Sequence, residues 1–118
     1  MSKIAVVIFS DTITTEALGK VSNAFILASE AIEQGDDPKL IFEGAGTKWI
    51  GELENNEHKL HNVYVNLKSK ITGICQFCAQ AFGVKNEIEL AEVPLLAEYH
   101  SHPSLRTLVR DNYEIITF

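Results

Sequence analysis

The chain is poor in cysteine, in basic charge and in long apolar runs, and each shortage removes a class of protein. Two cysteines among 118 residues cannot build the disulfide framework of a small secreted domain. Folding has to come from burial, and a chain that is 46% hydrophobic has enough apolar surface for one core. Ten Lys and Arg stand against sixteen Asp and Glu, for a formal charge of −6. The bases are dispersed, with no stripe to neutralise phosphates, so nucleic acid is not an expected partner. No apolar run reaches the roughly 20 residues of a membrane helix. The opening MSKIAVVIF enters a strand-like run without a cleavage site, so the expected address is the cytoplasm. A GxSxG elbow is also missing, which removes the serine hydrolases. Gly44-Ala45-Gly46 has neither the third glycine of a dinucleotide fingerprint nor the Gly-Lys-Ser/Thr of a phosphate loop, and reads as a tight turn.

The segments that are present alternate. Lys3–Phe9, a continuous apolar run rich in β-branched residues, is the pattern of a strand covered on both faces. Glu16–Gln34 carries Leu18, Val21, Phe25, Ala28 and Ile32 at spacings of three and four, one helical stripe. Thr14 or Thr15 caps its start and Gly35 ends it. Lys39–Glu43 is a second strand. Thr47 is expected to cap a short helix through Trp49 and Leu53. A longer helix follows with Leu60, Val63, Tyr64 and Leu67 on one face, and Ile71–Cys75 is a third strand. Helices are expected at Cys78–Phe82 and Asn86–Val93, and Leu95–Tyr99 fits a strand or an extended loop. His102-Pro103 opens a last helix as cap and first residue, and Tyr113–Phe118 is a final strand. Strands alternating with helices predict a single three-layer α/β/α domain, residues 1–118, with a mostly parallel sheet of about five strands.

In such sheets ligands bind at the carboxyl ends of the strands. Three ends carry Ser10-Asp11-Thr12, Gly44-Ala45-Gly46 and Cys75, so Ser10, Asp11, Thr12, Gly44 and Gly46 are candidate pocket residues beside the cysteine. Cys75 and Cys78 are both cysteines of the chain, in CxxC spacing. Two thiols this close can exchange disulfides, carry a persulfide, or supply half of a metal site. A helix starting between them would favour a thiolate on either sulfur. Alternatively both are small buried hydrophobes.

The leading Ile-Ala-Val-Val strand, the Ile-Cys strand end, Gly83 eight positions after Cys75, and the closing Tyr-Glu-Ile-Ile-Thr-Phe together resemble the DsrE/DsrF-like family, which includes YchN-like proteins. The resemblance covers essentially the whole chain. It implies an α/β/α domain assembling into homo- or hetero-oligomers, often trimers or hexamers, whose characterised members relay sulfur as a cysteine persulfide. Cys75 matches the sulfur-carrying position, with a sulfur-donor or acceptor protein as partner and no organic cofactor. Cys78 departs from the single-cysteine pattern and would resolve a persulfide on Cys75 into a disulfide. Asn112 stands where the family has glycine, and asparagine tolerates the left-handed turn needed there.

The histidines offer a second reading. His100 and His102 could join the cysteines as a Cys2His2 set, but their spacing does not match the usual three to five intervening residues, and no metal is assigned. His58 and His61 share a polar helical face and are read as solvated. Trp49 is core, subunit interface or pocket wall. A non-catalytic oligomeric binding module with structural cysteines, in a zinc-holding form or without metal, is therefore the alternative to sulfur handling.

Overall fold

A strand such as Ile4–Ile8 (β1), with apolar side chains on both faces, is stable only inside a covered sheet. The computed structural model, which describes Met1–Phe118, places it there. Four further strands, β2 (Lys39–Phe42), β3 (Gly73–Cys75), β4 (Leu95–Leu96) and β5 (Glu114–Thr117), join it in the order β4-β3-β2-β1-β5. Every pairing is parallel. The three-layer α/β reading therefore holds, and the sheet is parallel throughout. No helix is long and apolar enough to cross a membrane.

Helix α1 (Thr15–Glu33) starts where Thr14 accepts a hydrogen bond from the Ala17 amide and ends before Gly35, whose φ is +87°. Its buried face is Ala17, Val21, Ala24, Phe25, Ala28 and Ala31. The alanines let the helix lie close to the sheet, so Leu18 and Ile32 are pushed to the margin of the core. After β2 the chain makes a 3-10 turn, Gly44–Lys48, followed by α2 (Trp49–Leu53) and α3 (His61–Leu67). The Thr47 hydroxyl does not cap a helix there; it donates backwards to the Gly44 carbonyl at 2.8 Å, closing the turn itself. Helices α4 (Gln76–Ala81) and α5 (Lys85–Leu90) lead to β4, and α6 (Leu105–Arg110) leads to β5. The last turn runs through Asn112 at φ +67°, the left-handed conformation expected of it.

One main core forms where Val6, Ile8, Leu40, Phe42 and Ile74 meet Phe25, Trp49, Tyr64, Leu67 and Ile88. The chain then crosses the whole sheet from β4 to β5, and right-handed crossover puts α6 on the opposite face. There Thr107 and Leu108 of α6 face Ile41 and Leu96 around a cavity of 140 Å³. Helix α6 starts two residues later than the sequence suggests. Ser104, not His102, accepts from the Thr107 amide at 3.2 Å, because Tyr99–His102 is taken up in a bridge of its own.

The Gly44–Lys48 turn crosses directly over the end of β1. A Cβ on Gly46 would lie 2.2 Å from the Ile8 carbonyl oxygen, a backbone atom that cannot step aside. A Cβ on Gly51, in α2, would meet only the Glu87 side chain at 3.5 Å. Gly46→Ala should cost about 3 kcal/mol or more from overpacking, whereas Gly51→Ala should stabilise by roughly 0.5–1 kcal/mol through backbone entropy. Chemical denaturation of the two variants measures both, and equal effects would show that the close approach at Gly46 is not a constraint.

Candidate functional site

With the strands parallel, β1, β2 and β3 deliver their carboxyl ends to one edge. The first two loops are tied to each other there. Lys48 pairs with Asp11 at 2.8 Å and, with the Thr12 amide, holds the Asp11 carboxyl below the usual carboxylate range. The Trp49 indole N–H donates to the Ser10 carbonyl at 2.8 Å from a fully buried position, so Trp49 is core and pins the first loop. Gly44 adopts φ +56° and Gly46 packs on β1. Ser10 also lines a cleft with Phe9, Lys20, Thr117 and Phe118 where β1 and β5 end side by side. Neither cysteine lines that cleft.

The third end is different. Cys75, the last residue of β3, is fully buried and caps α4: its sulfur accepts the Cys78 amide at 3.4 Å. Cys78 lies one turn along and is half-buried. Two residues join the thiols from elsewhere. Glu43 follows the end of β2, is only 7% exposed as a residue, and its Oε1 accepts from the Cys78 thiol at 3.8 Å. His102 comes from the bridge in which the Tyr99 and His102 amides donate to each other's carbonyls at 2.9 and 2.8 Å. Its two central residues, His100 and Ser101, have φ of +46° and +65°, the positive values of a type I′ turn without the usual asparagine or glycine. This turn is docked on α4. The Ser101 carbonyl accepts the Phe77 amide at 2.9 Å and lies 3.9 Å from the Cys75 sulfur. The His102 ring stacks on Phe77 with centroids 4.8 Å apart. Ligand atoms of Cys75, Cys78 and His102 all lie within 4.8 Å of one another.

The structure thus separates the histidines. His102 joins the cysteines. His100 takes part through its carbonyl, which accepts from His102 Nδ1 at 2.7 Å, while its ring packs edge-on against Tyr99. His58 and His61 do not converge: His61 Nδ1 meets the Leu53 carbonyl at 2.7 Å and His58 Nδ1 accepts the Leu60 amide. Sequence reasoning missed Glu43. Its signal was a carboxylate ending an apolar strand immediately before a glycine turn.

No protein-family model matches the sequence. It is 31% identical over 94 residues to the uncharacterized protein MJ0733 of Methanocaldococcus jannaschii, spanning 80% of this chain and 76% of that one. The chain belongs to the family of that protein. Among solved structures it resembles a conserved protein of unknown function, BT1422 from Bacteroides thetaiotaomicron, with a TM-score of 0.67 at 17% identity over 97% of this chain and 94% of that one. It also resembles the ychN protein from E. coli, with a TM-score of 0.63 at 18% identity over the full length of both. The fold of this MJ0733 relative is therefore the YchN-like, DsrE/DsrF-like one.

The electrostatics of Cys75 depart from the expected helix activation. Burial pushes the Cys75 thiol up to about 12, with the Cys78 thiol and the Glu43 carboxylate adding to it against a single opposing N–H bond from Cys78. Helix α4 has only six residues, and its small dipole does not offset that desolvation. An unfolded chain releases this proton near the ordinary value of 9.0, before the folded chain does. Protons are then lost from the unfolded state first, and the folded state weakens as pH rises above that value. In chelator-treated protein, stability is expected to fall as pH climbs through 9 toward 12, and Cys75→Ala should flatten that fall. Under native conditions iodoacetamide should label Cys78 well before Cys75; equal labelling would mean that Cys75 is not shielded.

Proposed function

We propose that this protein handles sulfane sulfur or redox equivalents at the Cys75–Cys78 pair, with Cys78 as the first point of contact. The observation that carries this reading is the difference in burial between two adjacent thiols at a carboxyl-edge site: Cys78 is half-buried and Cys75 has no exposed surface. An external sulfur donor meets Cys78 first. This reverses the order implied by the family resemblance, in which Cys75 attacks and Cys78 resolves.

Glu43 Oε1, at 3.8 Å from the Cys78 sulfur, is placed to take the thiol proton. The Cys78 thiolate attacks the outer sulfur of a donor persulfide, R–S–SH. The donor S–S bond breaks, the donor leaves as its thiolate, and Cys78 becomes the persulfide. An acceptor thiolate from a partner protein takes the outer sulfur and returns Cys78 to a thiolate. Without an acceptor, Cys75 gives up its proton and attacks the inner sulfur; the pair is oxidised to a disulfide and the outer sulfur leaves reduced, as hydrosulfide.

Intact-mass spectrometry after exposure to a persulfide donor tests the order. Wild type should lose about 2 Da as the disulfide forms, and Cys75→Ser should instead retain an adduct of about 32 Da, one sulfur atom. Cys78→Ser should show neither. An adduct that survives in Cys78→Ser and is lost in Cys75→Ser would reverse the assignment, and unmodified wild type would remove sulfur handling altogether.

A further inference from the structure

The side chains around the pair contain more than thiol chemistry requires. We infer that Cys75, Cys78, His102 and Glu43 form a binding site for a thiophilic divalent cation of the zinc type. Three of the four donors come from separate parts of the chain, the end of β3, the start of α4 and the Tyr99–His102 turn, yet their ligand atoms fall within 4.8 Å of one another. Tetrahedral zinc with Zn–S bonds near 2.3 Å sets its donors about 3.8 Å apart. The cluster therefore needs to contract by about 1 Å, which lies within reach of side-chain rotation at the two half-buried residues, Cys78 and His102.

Two further observations point to a cation ligand set. A carbonyl has no proton to donate, so the 2.7 Å contact between His102 Nδ1 and the His100 carbonyl puts the hydrogen on Nδ1. In the neutral ring this leaves Nε2 as a free lone pair. Metal-binding histidines are held in the same way, with the second nitrogen bonded to a carbonyl or carboxylate. Glu43 is the other sign. It is only 7% exposed as a residue, yet none of the chain's ion pairs includes it. Its side chain faces the two thiols, with Oε1 at 3.8 Å from the Cys78 sulfur. Buried carboxylates ordinarily sit beside a cation or a set of strong donors; a metal on the two sulfurs would give Glu43 one and make it the fourth ligand.

Donor chemistry selects the ion. Two sulfurs, an imidazole and one carboxylate suit zinc, whereas magnesium and calcium require oxygen cages. Both sulfurs would bind as thiolates, the form in which cysteine ligates zinc. The bound form would also withdraw the pair from sulfur chemistry. This site goes beyond the sulfur-handling reading, and the two fail separately, because metal uptake and persulfide formation are read on different signals.

The test is titration of reduced, chelator-stripped protein with cobalt(II), followed by zinc displacement. Wild type should develop thiolate-to-cobalt charge-transfer absorption with the visible bands of tetrahedral cobalt, and zinc should abolish both. Cys78→Ser should lose the charge-transfer intensity of one sulfur. His102→Gln and Glu43→Gln, which leave both thiols in place, should each weaken cobalt affinity by about tenfold or more. Circular dichroism checks that each variant is folded. Absence of tetrahedral cobalt bands in folded wild type would overturn the site. Unchanged affinity in both His102→Gln and Glu43→Gln would overturn the four-ligand assignment and leave a cysteine-only site.

Discussion

Parallel pairing of β2 with its two neighbours is the constraint on which the rest depends. A parallel ladder brings successive strands out at the same edge, and it continues one residue past β2, where the Glu43 amide donates to the Ile8 carbonyl at 2.9 Å. That bond fixes the backbone of Glu43 beside the end of β1. Gly46 then packs on the same carbonyl, so the turn after β2 has one available path. Ile41 and Phe42 pair in register with Gly73 and Ile74, which brings Cys75 out next to Glu43. The proximity of a buried carboxylate to two thiols is thus a consequence of sheet register.

A buried carboxylate and a strained turn at such a position work against stability. Burying a carboxylate with only weak donors for company is unfavourable, and positive φ at two non-glycine residues, His100 and Ser101, costs on the order of 1–3 kcal/mol each. The burial that opposes both costs comes from the apolar cluster around Phe25, Phe42, Trp49 and Tyr64. Strain of this kind persists where surrounding contacts over-determine it, and here the Ser101 carbonyl is held by the Phe77 amide and the His102 ring by the Phe77 face. Phe77 is half-exposed and belongs to the site because it fixes the turn that carries His102.

Much of the architecture was legible because it rests on local rules. The apolar run of β1, the stripe of α1 with its Thr14 cap and Gly35 stop, and the left-handed turn at Asn112 each follow from side-chain shape and backbone sterics within a few residues. The departures have equally local causes. Thr47 closes its own turn instead of capping the next helix, and Ser104 takes the capping place given to His102. Both residues offered the right chemistry, and competition from a neighbouring hydrogen bond decided the outcome.

The sequence by itself determined the kind of fold and the CxxC pair, since periodicity and spacing are properties of the chain order. Only the tertiary structure decided which cysteine is shielded and which side chains stand around the pair. Glu43 lies 32 positions before Cys75 and His102 lies 27 after it, and no local pattern connects them. The three elements meet because parallel strands share an edge and because a turn with two left-handed residues docks on α4. Burial then sets the chemistry: the same thiol that a helix start would activate in water is held protonated when β3 carries it into the core.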